Sequence, residues 1–165
     1  MKRKKWIVKR DNGTLVFGEK PEQLPEAAFI SLTRGEGLNL LQLFINQVLT
    51  LLVMHQMKKS PGLIYAELKG ELKNWKGCGQ TITVWDGKMM PAFRNKSSHR
   101  FAMKFFTWVI HRKNTKTYYL TFSANGQIPS TTEATHILEQ YGKLYDGGKL
   151  VRKATLPTRE EVTTP

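Results

Sequence analysis

LNLLQLFINQVLTLLVMHQM, Leu38 to Met57, is the stretch on which the fold turns, because it contains no Lys, Arg, Asp or Glu. A membrane span needs about 20 predominantly apolar residues, so its length alone permits a crossing. Its polar content argues otherwise. Asn39, Gln42, Asn46, Gln47, Thr50, His55 and Gln56 are too many amide, hydroxyl and imidazole groups to leave in hydrocarbon. On a helical wheel Asn39, Gln42, Asn46 and Thr50 gather on one side, and Leu40, Leu41, Phe44, Ile45, Val48, Leu51 and Leu52 on the other. The expectation is an amphipathic helix whose apolar stripe lies on a sheet. Leu43, Val53 and Met54 fall outside that stripe and suggest a second surface, such as a subunit contact. Lys58, Lys59 and Pro61-Gly62 end the helix, with cations correctly placed at its C-terminus.

Working outward, AAFISLTRG reads as a buried strand through Phe29, Ile30 and Leu32, ended by Gly35. After the helix come LIYAELKGEL, interrupted by Gly70, and QTITVW. The latter alternates cleanly, with Ile82 and Val84 on one face and Thr81, Thr83 and Trp85 on the other. ELKNWKGCG between them reads as a glycine- and lysine-rich hairpin loop. Val84 to Trp108 reads as a strand end, a short helical turn, a break at Asn95 to Ser98, and a second helix capped by Ser97. TYYLTFSA, Thr117 to Ala124, is a further strand. The order strand, helix, strand, strand, helix, strand predicts an α+β fold with the split βαβ, ferredoxin-like arrangement, a βαββαβ unit.

Outside that unit, Asn12-Gly13 between Trp6-Ile7-Val8 and Leu15-Val16-Phe17 signals an N-terminal β-hairpin. TTEATHILEQY, Thr131 to Tyr141, predicts a helix capped by Ser130 or Thr131. From Gly142 onward the pattern dissolves, and a surface tail is expected. The chain thus divides into a hairpin extension and linker over 1–25, the ferredoxin-like unit over 26–125, and a C-terminal helix and tail over 126–165.

Lysine and arginine outnumber acids 26 to 13, giving a formal charge of +13 spread along the 165 residues. Such a balance favours polyanions, whether nucleic acid, an anionic membrane surface or an acidic small molecule, without choosing among them. Nucleic acid ranks lowest, since no recognition helix or RNA-binding aromatic motif is present. The single cysteine, Cys78, excludes an intramolecular disulfide framework, fits a reducing cytoplasm, and has no Cys or His at zinc spacing. MKRKKW is not followed by a secretory signal's apolar run, so a cytoplasmic protein, peripheral to a membrane at most, is expected.

SPGLIYAELKG (Ser60 to Gly70), TVWDG (Thr83 to Gly87) and AFRNKSSHRFAMK (Ala92 to Lys104), in that order, resemble the dimeric α+β barrel superfamily of antibiotic-biosynthesis monooxygenase-like proteins. The branch that looks closest contains spheroidene monooxygenase-like proteins. The resemblance covers roughly residues 26 to 125. It implies a homodimer whose protomers join their sheets, each keeping a pocket between its sheet and two helices. It also implies a small apolar or aromatic ligand, with heme as an optional cofactor that the sequence does not require. Heme-degrading members carry an Ala-His pair, a Trp and an Asn at places where this chain has Ala102-Met103, Phe93 and no Asn from Phe29 to Thr33. These departures argue against that activity. Fold membership does not settle chemistry, so a non-catalytic ligand-binding or polyanion-binding protein stands as the alternative to a monooxygenase-like enzyme.

The candidate catalytic residue is His99. On the wheel of the second helix it falls in the apolar arc between Phe106 and Ile110, opposite Arg100, Lys104, Thr107 and His111. It reads either as a core histidine bonded to backbone or water, or as a general base or axial heme ligand. His55 is expected to face the sheet in the same way from the first helix. Met103 and Phe106 would add apolar wall, Arg34 would receive an anionic group or a heme propionate, and Trp85 and Tyr65 would line the pocket. Each of these also reads as ordinary core or, for Arg34, as a solvated strand-end cation.

Overall fold

A two-residue turn at Asn74 and Trp75, both at positive φ (51° and 61°), folds β4 (Leu63–Lys73) directly onto β5 (Lys76–Asp86). The expected loop is therefore almost wholly strand, and Gly70 pairs with Gly79 inside the ladder instead of interrupting it. The computed structural model describes residues 8–11, 13–87, 100, 101, 104, 105, 107, 114–124 and 126–156. The remaining strands are β1 (Val8–Asp11), β2 (Thr14–Phe17), β3 (Ala28–Leu38), β6 (Lys116–Ser123), β7 (Lys143–Asp146) and β8 (Lys149–Arg152). Together they form one eight-stranded sheet in the order β1-β2-β4-β5-β3-β6-β7-β8, with antiparallel neighbours throughout.

Two expectations about the strands are corrected. β3 does not stop at Gly35 but runs to Leu38 through an irregularity between Glu36 and Leu38. Gly37 sits there at φ +75°, under the carbonyl of Asn114, where a Cβ would have no room. The C-terminal pattern does not dissolve after Gly142, because β7 and β8 extend the sheet from β6 around a Gly147-Gly148 turn. The N-terminal hairpin, signalled by Asn12-Gly13, is added to the other side through β2 on β4.

Because side chains alternate across a strand, the sheet has two unlike faces. On one, Ile30, Leu32, Ile82, Val84, Leu120 and Phe122 are buried beneath Ala134, Ile137 and Leu138 of α2 (Thr131–Tyr141). Ser130 caps α2 in a reciprocal box with Glu133. On the other face, Phe17, Leu63, Ala66 and Trp85 pack against Met54 and Met57 of α1 (Leu40–Lys58). The two helices thus lie on opposite sides of the sheet.

α1 is turned half a revolution from its expected orientation. Leu40, Leu41, Phe44, Val48, Leu51 and Leu52 are all exposed, whereas Gln42 is buried and Asn46 half-buried. Contacts beyond the helix explain the choice. Gly77 lies so close beneath Leu43 that a Cβ there would stand 2.7 Å from Cδ1, and a Cβ at Gly79 would stand 3.5 Å from Asn46 Nδ2. Glycines on β5 let the helix settle there with Leu43 and Asn46 directly over them. Gln42 is also committed locally. Its Oε1 accepts from the Asn39 N–H at 2.9 Å, while its own N–H donates to Asn39 Oδ1 at 2.9 Å.

Candidate functional site

The sheet face beneath α1 carries hydroxyls where the opposite face carries aliphatic side chains. Thr81 and Thr83 of β5, Ser31 and Thr33 of β3, and Tyr119 and Thr121 of β6 fall on this face, all half-buried. The register pairs Thr33 with Thr81 and Tyr119, and Ser31 with Thr83 and Thr121. The hydroxyls of Thr33 and Thr81 are 2.5 Å apart. Thr121 Oγ1 donates to Ser31 Oγ at 3.3 Å, and Thr83 Oγ1 to the Ser31 carbonyl at 3.3 Å. Trp85, only 2% exposed, closes one end and donates from Nε1 to Thr83 Oγ1 at 2.9 Å. Threonine suits this position because its branched Cβ satisfies the strand while its hydroxyl stays available to a neighbour or a ligand.

Apart from Lys143 of β7, which pairs with Tyr119 and holds its Nζ 4.8 Å from the Tyr145 ring centroid, the chemistry on offer is neutral. Burial, against a hydrogen bond from Thr117, pushes the Tyr119 phenol up to about 12, so it stays a donor near neutrality. Among the described residues this face has no carboxylate or imidazole, and no cluster of His, Cys, Asp or Glu could hold a metal ion. The sequence candidate for a group that moves a proton near pH 7 is His99. That residue, with Met103 and Phe106, lies outside the described residues.

The other sequence candidates separate. Trp85 belongs to the hydroxyl face. His55, expected to point at the sheet, is exposed on the outward side of α1, which follows from the rotation of that helix. Arg34 and Tyr65 are on the opposite face, beneath α2. Arg34 is not a solvated cation awaiting an anion. Its Nε donates to Glu36 Oε1 at 2.6 Å, and its Nη1 to Thr135 Oγ1 at 2.6 Å and Gln80 Oε1 at 3.2 Å. Gln80 Nε2 donates to the Thr131 carbonyl at 2.9 Å, and Thr131 Oγ1 to Glu67 Oε1 at 2.8 Å. Tyr65 completes the chain by donating to Glu67 Oε2 at 3.1 Å, and burial next to that carboxylate pushes its phenol up to about 12. This network fastens α2 to β3, β4 and β5. Burial also raises the Cys78 thiol, which nearby Arg34 offsets only in part, so it is no activated nucleophile.

For heme the described residues are a poor fit. His55 faces outward and Arg34 is engaged by Glu36, so neither an axial ligand nor a propionate partner is offered to the hydroxyl face. Sequence reasoning missed Ser31, Thr33, Tyr119 and Thr121 as a group. The signal was the Ser-Leu-Thr alternation of β3 repeating the Thr-Ile-Thr of β5.

No family model matches the chain, and no curated protein does. Among solved structures, the fold is similar to SnoaB, a cofactor-independent oxygenase from Streptomyces nogalater, with 11% identity and a TM-score of 0.48. That overlap covers 63% of this chain and 99% of SnoaB.

Proposed function

We propose that the chain is a monooxygenase-like enzyme of the dimeric α+β barrel type, acting on a small aromatic substrate that carries carbonyl or hydroxyl oxygens. The motifs from Ser60 to Lys104 support the family. So does the order β4-β5-β3-β6, which places the second, third, first and fourth strands of the unit side by side as a ferredoxin-like fold requires. Arg100, Phe101, Lys104, Phe105 and Thr107 are helical between β5 and β6, where the second helix of that unit belongs. Assembly as a homodimer is part of the same proposal.

The observation that carries the reading is the hydroxyl ladder from Thr81 to Thr121. A row of half-buried hydroxyls that can exchange their bonds to one another for bonds to a ligand suits neutral substrate oxygens, and Lys143 beside Tyr119 adds a cation to this face. In this reading His99 removes a proton from the acidic substrate, and the threonine hydroxyls hold the oxyanion that forms. The lack of carboxylate and imidazole among the described residues of the face favours a second reading, in which the site binds such a ligand without turning it over.

An oxygen electrode and ligand titration separate the two, using a panel of aromatic phenols and ketones. The enzyme reading expects substrate-dependent oxygen uptake that falls roughly hundredfold or more in His99→Gln while binding persists. It also expects Thr83→Val and Thr33→Val each to weaken binding by roughly tenfold. Binding without oxygen uptake supports the non-catalytic reading. Affinity indifferent to both valine variants removes the ladder as the site.

A further inference from the structure

The feature that the proposed chemistry leaves unused is the outward face of α1. Leu40, Leu41, Phe44, Val48, Leu51 and Leu52 lie along one side of this helix, with Leu41 and Phe44 each 67% exposed. Six large apolar side chains exposed side by side are more than the scattered surface hydrophobes that need no explanation. α1 is also long and apolar enough to cross a membrane by length and composition. Its inner side prevents that, because Leu43 and Asn46 are seated over Gly77 and Gly79, and Met54 and Met57 are packed with Trp85. To be surrounded by lipid the helix would have to leave the sheet and expose Gln42 and Asn46.

Charge identifies the occupant. No Asp or Glu occurs from Gly37 to Ala66, and the C-terminal end of the strip is marked by exposed His55, Lys58 and Lys59. Near its other end, Phe105 packs with Leu38, Leu43 and Ile45, and stacks on the exposed Phe101 at 5.9 Å between ring centroids. Arg100 and Lys104, beside Phe101, are exposed as well. An apolar strip with basic residues at both ends and phenylalanines at one, on a chain of charge +13, has the composition of a helix lying in a lipid headgroup layer. A second copy would bring the same cations against one another.

We infer that α1 docks this chain in the plane of an anionic bilayer, its outward leucines and Phe44 entering the acyl boundary while its inner side stays on the sheet. This inference stands apart from the proposed chemistry and does not depend on it.

Sedimentation with vesicles of phosphatidylcholine alone, and with about a third phosphatidylglycerol, tests it. The full chain is expected to bind the anionic vesicles roughly tenfold or more tightly than the neutral ones, with added salt weakening the difference. The double variant Leu41→Ser, Phe44→Ser should lose most of that binding while keeping the circular dichroism and melting of the parent, since both side chains are exposed in the fold. Absence of binding to anionic vesicles overturns the inference. So does vesicle binding that survives the double variant. A solution dimer that the same variant converts to monomer, without vesicle binding in the parent, assigns the strip to a second copy and equally overturns it.

Discussion

Tyr65 and Tyr119 show how one residue type records the character of each face. Tyr65 donates to Glu67 beneath α2, and Tyr119 stands among hydroxyls on the α1 side, edge-on to Tyr145 at 6.2 Å. Burial raises both from 10.0 to about 12, and for Tyr65 the charge of Glu67 adds to it. Below the unfolded value both states keep the proton, and these groups contribute no pH dependence. Between about pH 10 and about 12 the unfolded chain releases protons that the folded chain retains, so stability falls as pH rises through that window. Urea midpoints should therefore decline across it, and Tyr65→Phe and Tyr119→Phe should each flatten the decline. Equal slopes in parent and variants would refute the assignment. Such environments are only half legible in sequence. The alternation of QTITVW already separates Thr83 from Val84, but which face gathers hydroxyls from three strands depends on register, which pairs Ser31 with both Thr83 and Thr121.

At the scale of elements, the ends of α2 are fixed by different means. Its N-terminus is closed from within, where the Glu133 carboxylate accepts from the Ser130 N–H at 2.6 Å and is held below its usual range by that bond. Its last turn has no basic residue of its own. The cation comes instead from β8, where Arg152 donates through Nε to the Gly142 carbonyl at 2.8 Å, through Nη2 to that of Leu138 at 2.9 Å, and through Nη1 to that of Glu139. One guanidinium thus serves orphan carbonyls of the helix end and opposes the negative end of its dipole. Arg152→Ala is expected to cost about 1–3 kcal/mol in chemical denaturation, and Arg152→Lys to recover less than half, because an ammonium lacks the planar fork. Full recovery by lysine would show that charge alone matters. The Ser130 cap was legible in sequence because a capping box is local. The Arg152 clasp was not, since it joins residues ten or more apart. The same limit explains α1. A helical wheel finds two unlike sides, but which side meets the sheet was decided by Gly77 and Gly79 on a distant strand.

For the whole molecule, the question is whether residues 26–125 could stand without their extensions. The order of β3, α1, β4, β5 and β6 within that stretch was legible, because α1, QTITVW and TYYLTFSA each carry a local period. The roles of the ends were not, because β1, β2, β7 and β8 have only four residues each and find their places through long-range pairing. Their effect on the fold is unequal. The hairpin β1–β2 extends the sheet past β4, and Phe17 at its end is fully buried. The C-terminal part does more, since Ile128, Ala134, Ile137 and Leu138 cover Ile30, Leu32, Ile82 and Leu120 on the face that α1 does not reach. Removing everything after Ala124 would strip that cover from a contiguous aliphatic face at the centre of the sheet. It would also leave Arg34 without Thr135 and Glu67 without Thr131. At about 25 cal/mol per Å², exposing several such side chains outweighs the margin of about 5–15 kcal/mol by which a domain of this size is stable. The truncated chain is therefore expected to lose its cooperative thermal transition or to precipitate. The informative exception is a soluble, cooperatively melting dimer of the truncated chain in size-exclusion chromatography with light scattering. That result would mean a partner's sheet can replace α2 on this face, and that α2 is a cap on a barrel interface instead of an indispensable layer of the core.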